Sequence, residues 1–285
     1  MNEKKQYEVL KWASLFLEEY HREARVAELL LQHHLGLSRT AFFMNMREAI
    51  PEAIHEAFMQ DIKEHAETGK PIQHMTGYEE FYGRRYIVDN HVLIPRPETE
   101  ELVHHVIEAA KETGKTPIHL VDVGTGSGII AITLALELAG ASVSATDISS
   151  EALKIAEENA KELGAEVAFI QGDFLQPVLN NAETVDIIVS NPPYIAESER
   201  ESLADTVINF DPELALFAED NGLAAYKRII QQAREILKPG GMLAFEIGYT
   251  QGHAIERLIT DSFPQASVDI IQDINGKDRI ILAKI

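Results

Sequence analysis

The chain contains no cysteine. That excludes disulfide scaffolds, thiolate zinc sites and cysteine nucleophiles, and it fits a reducing compartment such as the cytoplasm. It has no run of about 18 uncharged apolar residues, so no membrane-spanning helix is expected. Positive charge is scarce. Lys and Arg number 25 against 46 Asp and Glu, a net charge of −21 over 285 residues. Such a surface repels nucleic acid and anionic lipid, so neither is expected as a direct partner. The start, Met1 to Gln6, is polar and runs into an amphipathic pattern, so no signal peptide is expected. What is present is ordinary for a globular protein: 45% hydrophobic and 25% charged residues. That is enough to build a core and to exclude disorder or a collagen-like fibre.

The length suggests about two domains, and the charge divides unevenly. Residues 1–90 carry 11 basic and 15 acidic side chains, whereas residues 91–285 carry 14 and 31. The first part reads as helices. Leu10, Ala13 and Leu17, then Val26, Leu29 and Leu30, recur at helical spacing. Gly36 is a helix stop and Ser38 an N-cap. Pro51 to Thr68 reads as a helix with Pro in its first turn and Gly69 just past its end. Phe81 to Val88, around Gly83, reads as a short hairpin. Pro95 and Pro97 stiffen the connection that follows, and Thr99 is expected to cap the next helix.

From residue 117 short apolar runs alternate with helical segments. Strands are expected at 118–123, 142–146, 166–170, 185–190, 242–247, 267–272 and 279–284. Helices fit at 129–139, 150–163, 222–237 and 251–261. This alternation predicts an α/β fold with a parallel sheet covered on both faces. The last two strands are joined only by Asn275-Gly276-Lys277, too short for a crossover, so they form a hairpin with one antiparallel edge strand.

Residues 120–128 read Leu-Val-Asp-Val-Gly-Thr-Gly-Ser-Gly, and Ile129 opens a helix. Gly124, Gly126 and Gly128 permit a tight turn and close approach of a ligand to the backbone of Thr125 and Ser127. The helix start behind them presents free N–H groups. A dinucleotide fingerprint has G-x-G-x-x-G spacing. Here the spacing is G-x-G-x-G, which resembles the adenosylmethionine-binding loop of the seven-stranded methyltransferases. Asp147 ends the second strand, where a carboxylate accepts hydrogen bonds from both ribose hydroxyls. Asp173 and Phe174 follow the third strand. In the methyltransferase reading Asp173 meets the exocyclic amine of adenine and Phe174 offers a stacking surface. A purely structural alternative keeps the glycines as turn formers, Asp147 as a cap before Ser149-Ser150, and Phe174 as core.

The fourth strand runs straight into Asn191-Pro192-Pro193-Tyr194. The prolines end the strand and fix the backbone. Their carbonyls and the Asn191 side-chain oxygen form a rigid set of acceptors, with Tyr194 as an aromatic wall. A carboxamide or aniline-type nitrogen is a poor nucleophile because its lone pair is delocalised. Two acceptors on its N–H bonds raise its electron density and aim it, and the proton can leave after transfer. Orientation and charge stabilisation then supply the acceleration without a strong base. The bland alternative is a rigid turn with a buried Tyr.

These segments together resemble the PrmC/HemK family of protein-(glutamine-N5) methyltransferases that act on peptide chain release factors. The resemblance spans nearly the whole chain. It includes Gly77-Tyr-Glu-Glu-Phe-Tyr-Gly83, Leu93-Ile-Pro-Arg-Pro-Glu-Thr-Glu100 and Val123-Gly-Thr-Gly-Ser-Gly128. It continues with Asp186-Ile-Ile-Val-Ser-Asn-Pro-Pro-Tyr-Ile195, Leu237-Lys-Pro-Gly-Gly241 and Phe245-Glu-Ile-Gly248. The Pro-Arg-Pro segment is the more specific clue, because Asn-Pro-Pro-Tyr is shared with adenine methyltransferases.

The resemblance implies a seven-stranded, Rossmann-like S-adenosylmethionine-dependent sheet and a small N-terminal helical domain. Residues 1–75 would dock the substrate, 76–98 form a hairpin linker, and 99–285 form the methyltransferase domain. Gly124, Thr125, Gly126, Ser127, Gly128, Asp147, Asp173, Phe174 and Asn191 would contact the cofactor. Asn191, Pro192, Pro193 and Tyr194 would hold the glutamine of the release factor's Gly-Gly-Gln motif, with Asn191, Pro192 and Tyr194 catalytic. A cytoplasmic monomer without a metal is expected.

After Pro212-Glu-Leu-Ala-Leu216 the family usually has Gly-Gly-x-Asp-Gly, whereas this chain has Phe217-Ala-Glu-Asp-Asn-Gly222. The departure is expected to change the loop without touching the cofactor or acceptor groups. Arg96 either orients the loop over the site or is plain surface. The adjacent pairs His33-His34 and His104-His105 have diverging rings on helices, which argues against a metal. The rival enzyme reading is a nucleic-acid adenine methyltransferase, which must neutralise phosphates and, on duplex DNA, flip its base. The acidic catalytic part disfavours it. A non-catalytic binding protein is the other alternative, and it has no need of paired acceptors.

Overall fold

The computed structural model describes residues 4–285, so the first three residues of the polar start lie outside it. The chain forms two compact units. The first takes the residues up to Tyr78 together with Ala204–Phe210; the second takes Glu79–Leu203 and Asp211–Ile285. The excursion at 204–210 is a return of the chain to the first unit that no linear segmentation of the sequence foresees.

The first unit is helical: α1 Gln6–Glu19, α2 Arg25–Leu35, α3 Arg39–Met44, α4 Glu52–Thr68 and α5 Ile72–Thr76. Apolar residues spaced three and four apart put one stripe of each long helix into a common core. Val9, Ala13 and Leu17 meet Leu30 and Leu31, with Phe42, Phe58 and Ile62. Ser38 caps α3 by accepting from the Ala41 N–H, and Gly36 and Gly69 end α2 and α4 in the left-handed conformation. Pro51 is the N-cap of α4 and stands just before its first turn.

The hairpin β1 Tyr78–Phe81 and β2 Arg84–Ile87 turns at Tyr82-Gly83, both at positive φ. Then follow α6 Pro97–Thr113, β3 His119–Val123, α7 Ile129–Glu137, β4 Ser142–Asp147, α8 Ser150–Leu163, β5 Val167–Gln171, α9 Gln176–Asn180 and β6 Val185–Ser190. The short helices α10 Asp205–Phe210, α11 Glu213–Leu216 and α12 Glu219–Gly222 lead to α13 Ala224–Ile236. The chain closes with β7 Leu237–Glu246, α14 Gly252–Ser262, β8 Ser267–Gln272 and β9 Asp278–Lys284. Helix α6 begins at Pro97, whose fixed φ suits a first helical position. Thr99 therefore sits inside the first turn and does not cap it.

The seven-stranded sheet has the order β5-β4-β3-β6-β7-β9-β8. Strands β5, β4, β3, β6 and β7 run parallel, and β9 is antiparallel to both neighbours. The expected hairpin is present, with its second strand inserted between β7 and its own partner. Alternation along the strands loads both faces. Leu120, Ile187 and Ala244 face α6 and α7. Val121, Ile188, Leu243 and Phe245 face α13 and α14. Strand order reverses between β3 and β6. The loops leaving their carboxyl ends run to opposite sides and open a crevice there.

Candidate active site

The crevice is built from two strand ends sewn together. The Ser190 hydroxyl, at the end of β6, donates to the Val123 carbonyl, at the end of β3, at 2.6 Å. The glycine loop starts at the next residue on one strand, and Asn191-Pro192-Pro193-Tyr194 on the other. Gly124 and Thr125 donate their N–H groups to the Thr146 carbonyl at 2.8 and 3.0 Å. Gly126 donates to Asp147 Oδ2 at 2.9 Å, and Ser149 to Asp147 Oδ1 at 2.9 Å. Asp147 thus holds the loop's shape from the end of β4, and it also caps the turn before α8, as the structural alternative foresaw. Beneath the loop the buried Asp122 accepts from the Thr125 hydroxyl at 2.6 Å and from the Ala131 N–H at 3.2 Å. Burial pushes its carboxyl up to about 7. At Gly128, φ is +80° and an added Cβ would lie 2.8 Å from Ile132 Cδ1 and 2.9 Å from Ala156 Cβ. Glycine there lets α7 pack down on α8.

Above the loop lies a cavity of about 450 Å³. Gly124, Thr125, Gly126, Ser127, Asp147, Asp173, Phe174, Asn191 and Pro193 all line it, so one space gathers segments 67 residues apart. Gly128, Pro192 and Tyr194 do not line it. Gly128 supports the loop from behind, and Pro192 is buried. Tyr194 packs its ring into the cluster around Tyr226 and Phe245, where burial, with Glu246 beside it, pushes its hydroxyl up to about 12. Its expected place as an aromatic wall of the site gives way to this apolar packing. The Asp173 carboxylate is ion-paired with Arg228 of α13, whose guanidinium lies 5.0 Å from the Phe174 ring centroid.

Three further walls complete the site, of which the sequence reading offered only the loop of Arg96. Leu93 and Pro95 enter from the loop before α6. Arg96 fixes that loop, bonding at 2.9 Å to Asp211, whose side chain is 1% exposed and also accepts from the Ile94 N–H at 3.3 Å. Arg96 therefore orients the loop. A second wall is the departing segment Phe217–Glu219. Asp220 and Asn221 both take left-handed backbone, and Gly222 at φ +80° lies so close to the Tyr194 carbonyl that a Cβ would collide with it. The segment thus does touch the acceptor motif, because it supports Tyr194 from behind. Gln251 completes that support, donating to the Tyr194 carbonyl at 2.9 Å. The third is a polar chain. Asn191 Nδ2 donates to Thr99 Oγ1 at 3.4 Å, and Thr99 Oγ1 donates to Glu246 Oε2 at 2.7 Å. The signal for it was legible: Glu246 is the one charged residue in the apolar run Met242 to Ile247.

The site's composition fits a nucleoside carrying a vicinal diol. Val92, Leu93, Ile129, Ile130 and Ala225 supply apolar walls for a ring, and Asp147 stands among them as an acceptor.

Comparison with known proteins agrees with this architecture. Residues 8–77 match the PrmC N-terminal domain, and residues 115–278 match a methyltransferase domain. The release factor glutamine methyltransferase of Bacillus cereus is 46% identical over 279 residues, covering 98% of this chain and 98% of that protein. That of Bacillus subtilis is 47% identical over 283 residues, covering 98% and 97%. Among solved structures, the catalytic domain of hMettl16 superposes with a TM-score of 0.55 at 16% identity, covering 82% of this chain and 81% of that one. A methyltransferase from Pyrococcus furiosus gives 0.51 at 18%, covering 72% and 89%. Those two show the fold; the sequence identities to the bacterial proteins go further, and by them the chain belongs to the release factor glutamine methyltransferase family.

Proposed function

We infer that this protein transfers a methyl group from S-adenosylmethionine to the side-chain amide nitrogen of a glutamine in peptide chain release factors, the glutamine of the Gly-Gly-Gln motif. The observation that carries the reading is the single cavity joining the glycine loop, Asp147 and Asn191. The cofactor, when bound, supplies an electrophilic sulfonium methyl. Asp147 accepts from the ribose hydroxyls with the lone pairs left by Gly126 and Ser149. The loop backbone from Gly124 to Ser127 lines the cofactor, and Phe174 and Asp173 border its base.

The Asn191 oxygen and a proline carbonyl beside it accept the two N–H bonds of the substrate amide. They hold its nitrogen toward the cavity and meet the positive charge that develops there. Pro192 and Pro193 keep these acceptors rigid, and Tyr194 anchors the motif in the core. The apolar walls keep water from the reacting atoms. The N-terminal helical unit, which exposes Trp12 and Leu15 on α1 and Tyr20 just past its end, docks the release factor. The working unit is one chain, acting in the cytoplasm.

The test is incubation with labelled adenosylmethionine and a purified release factor, followed by mass spectrometry of the peptides. Label is expected on the glutamine amide. Asn191→Ala should lose most of the transfer while cofactor affinity stays within about threefold, since the acceptor pair serves the substrate. Label on an adenine of nucleic acid, or cofactor binding lost in step with activity, would overturn the assignment.

A further inference from the structure

Strand β7 ends Met242-Leu-Ala-Phe-Glu-Ile247. Glu246 is buried with its apolar neighbours, 2% exposed. An uncompensated carboxylate costs several kcal/mol to bury, so its partners explain its place. Oε2 accepts from the Thr99 hydroxyl at 2.7 Å, and the Thr99 oxygen accepts from Asn191 Nδ2 at 3.4 Å. The three residues come from β7, the first turn of α6 and the loop after β6. The fold closes sequence gaps of 147 and 92 residues to join them.

The protons in this chain run one way. An ionised carboxylate has lone pairs and no hydrogen to give. It therefore takes the single hydroxyl hydrogen of Thr99. The Thr99 oxygen keeps only lone pairs, and it can meet Asn191 only through the amide NH2. A carboxamide whose nitrogen faces Thr99 turns its oxygen the other way. We propose that Glu246 and Thr99 are positioning residues that set the facing of the Asn191 carboxamide, so that an oxygen acceptor and not an NH2 donor is offered to the substrate amide. This rests on the reading of Asn191 as an amide acceptor, and it adds the device that gives the acceptor its polarity.

The surroundings of Glu246 decide when that polarity holds. Burial raises its carboxyl to about 7, against the Thr99 hydrogen bond and the favourable charges of Arg279 on β9 and Arg96 before α6. Glu98 on α6 raises it further. Tyr194 and Tyr226 complete the group, and the Tyr226 hydroxyl donates to the Glu246 carbonyl at 2.8 Å. Once protonated, Glu246 has a hydrogen to donate to Thr99. Thr99 is then free to donate to the Asn191 oxygen, and the carboxamide turns over. The productive facing is held above pH ~7 and is lost below it.

The experiment uses the full-length protein and a purified release factor, with kcat measured from pH 5.5 to 9 and adenosylmethionine affinity by calorimetry. Thr99→Val removes the hydroxyl at nearly constant volume. It should lower kcat about 10- to 100-fold, the scale of one misdirected hydrogen-bonding group, with cofactor affinity within about threefold. Thr99→Ser keeps the hydroxyl and should restore kcat to within about threefold. The wild-type kcat should fall as pH drops through ~7. In Glu246→Gln that acid limb should vanish, at a reduced rate, because a primary amide can present either end to Thr99. A Thr99→Val enzyme within about twofold of wild type overturns the inference, as does an acid limb unchanged in Glu246→Gln. If Thr99→Val does not fold, the Glu246→Gln profile decides alone. An active Asn191→Ala would instead remove the site reading itself. An inactive Asn191→Ala beside wild-type Thr99→Val and Glu246→Gln enzymes would leave that reading standing and remove only the relay.

Discussion

Replacing Asp147 separates the loop-holding contacts its carboxylate makes within the protein from the ribose contact proposed for it. Within the protein, Oδ2 takes the Gly126 N–H and Oδ1 the Ser149 N–H, each at 2.9 Å. Hydrogen bonds to a charged group contribute about 1.5–3 kcal/mol each when buried. Asp147 is only partly buried, so roughly 2–4 kcal/mol for the pair is the discounted figure. At about 2–4 °C per kcal/mol for a unit of this size, Asp147→Ala should lower the melting temperature of the cofactor-free protein by roughly 4–16 °C. In the proposed complex the same oxygens accept two ribose hydroxyls, adding about 2–3 kcal/mol of binding. Calorimetry below the melting transition should show adenosylmethionine weakened roughly 30- to 150-fold. Asp147→Asn is the internal control. Its single oxygen serves one N–H, and its NH2 opposes the other, so the loop should loosen nearly as much while part of the ribose contact survives. A folded Asp147→Ala protein that binds the cofactor within about threefold of wild type refutes the ribose contact. A normal melting temperature refutes the loop-holding role.

The pH dependence of stability follows from three carboxyls. Asp122 and Glu246, both raised by burial to about 7, stabilise the fold below their unfolded values and lose that contribution as pH rises through ~7. Asp186 acts oppositely. Against the cost of burial, Lys238, the His119 N–H and Lys115 hold it at about 2, so its contribution is present above pH ~4 and lost as pH falls through ~2. Denaturant titrations should place maximal stability near pH ~4, with a decline from there towards pH ~7, and stability that climbs from pH 5 to 8 would contradict this. Gly222→Ala should lower both stability and kcat, because its Cβ would displace the Tyr194 carbonyl. Unchanged kinetics would show that the acceptor motif tolerates the shift. The tip of a release factor works inside an RNA-lined ribosomal centre, so the surface around its glutamine is expected to be basic, opposite in sign to residues 91–285. Its methylation should therefore slow from ~0.02 to ~0.3 M salt, mainly in kcat/KM, whereas a short neutral peptide should show little salt dependence. A salt-insensitive intact factor would rule out steering.

Periodicity and punctuation made the scaffold legible. The apolar run 185–190 and the pair Asn191-Pro192 fixed where β6 stops, and Gly36, Ser38 and Gly69 marked helix ends found at those residues. The places of the glycine loop and Asp147 beside one cavity were legible because their signals are local: each lies within a few residues of a strand end. Long-range pairings were not. Thr99 reads locally as a cap, and only the fold shows its hydroxyl committed to a carboxylate 147 residues away. Tyr194 reads as a wall of the site because it follows Asn191, yet its ring turns into an apolar cluster assembled from α13 and β7. Phe217–Glu219 looked remote from the acceptors, and Gly222 brings that loop against the Tyr194 carbonyl. Local pattern can place a residue at a strand end, but the direction of its side chain depends on which distant element arrives opposite. Glu246 shows the converse. A charge inside an apolar strand violates the pattern around it, and that violation points to a partner across the fold even before the partner is known.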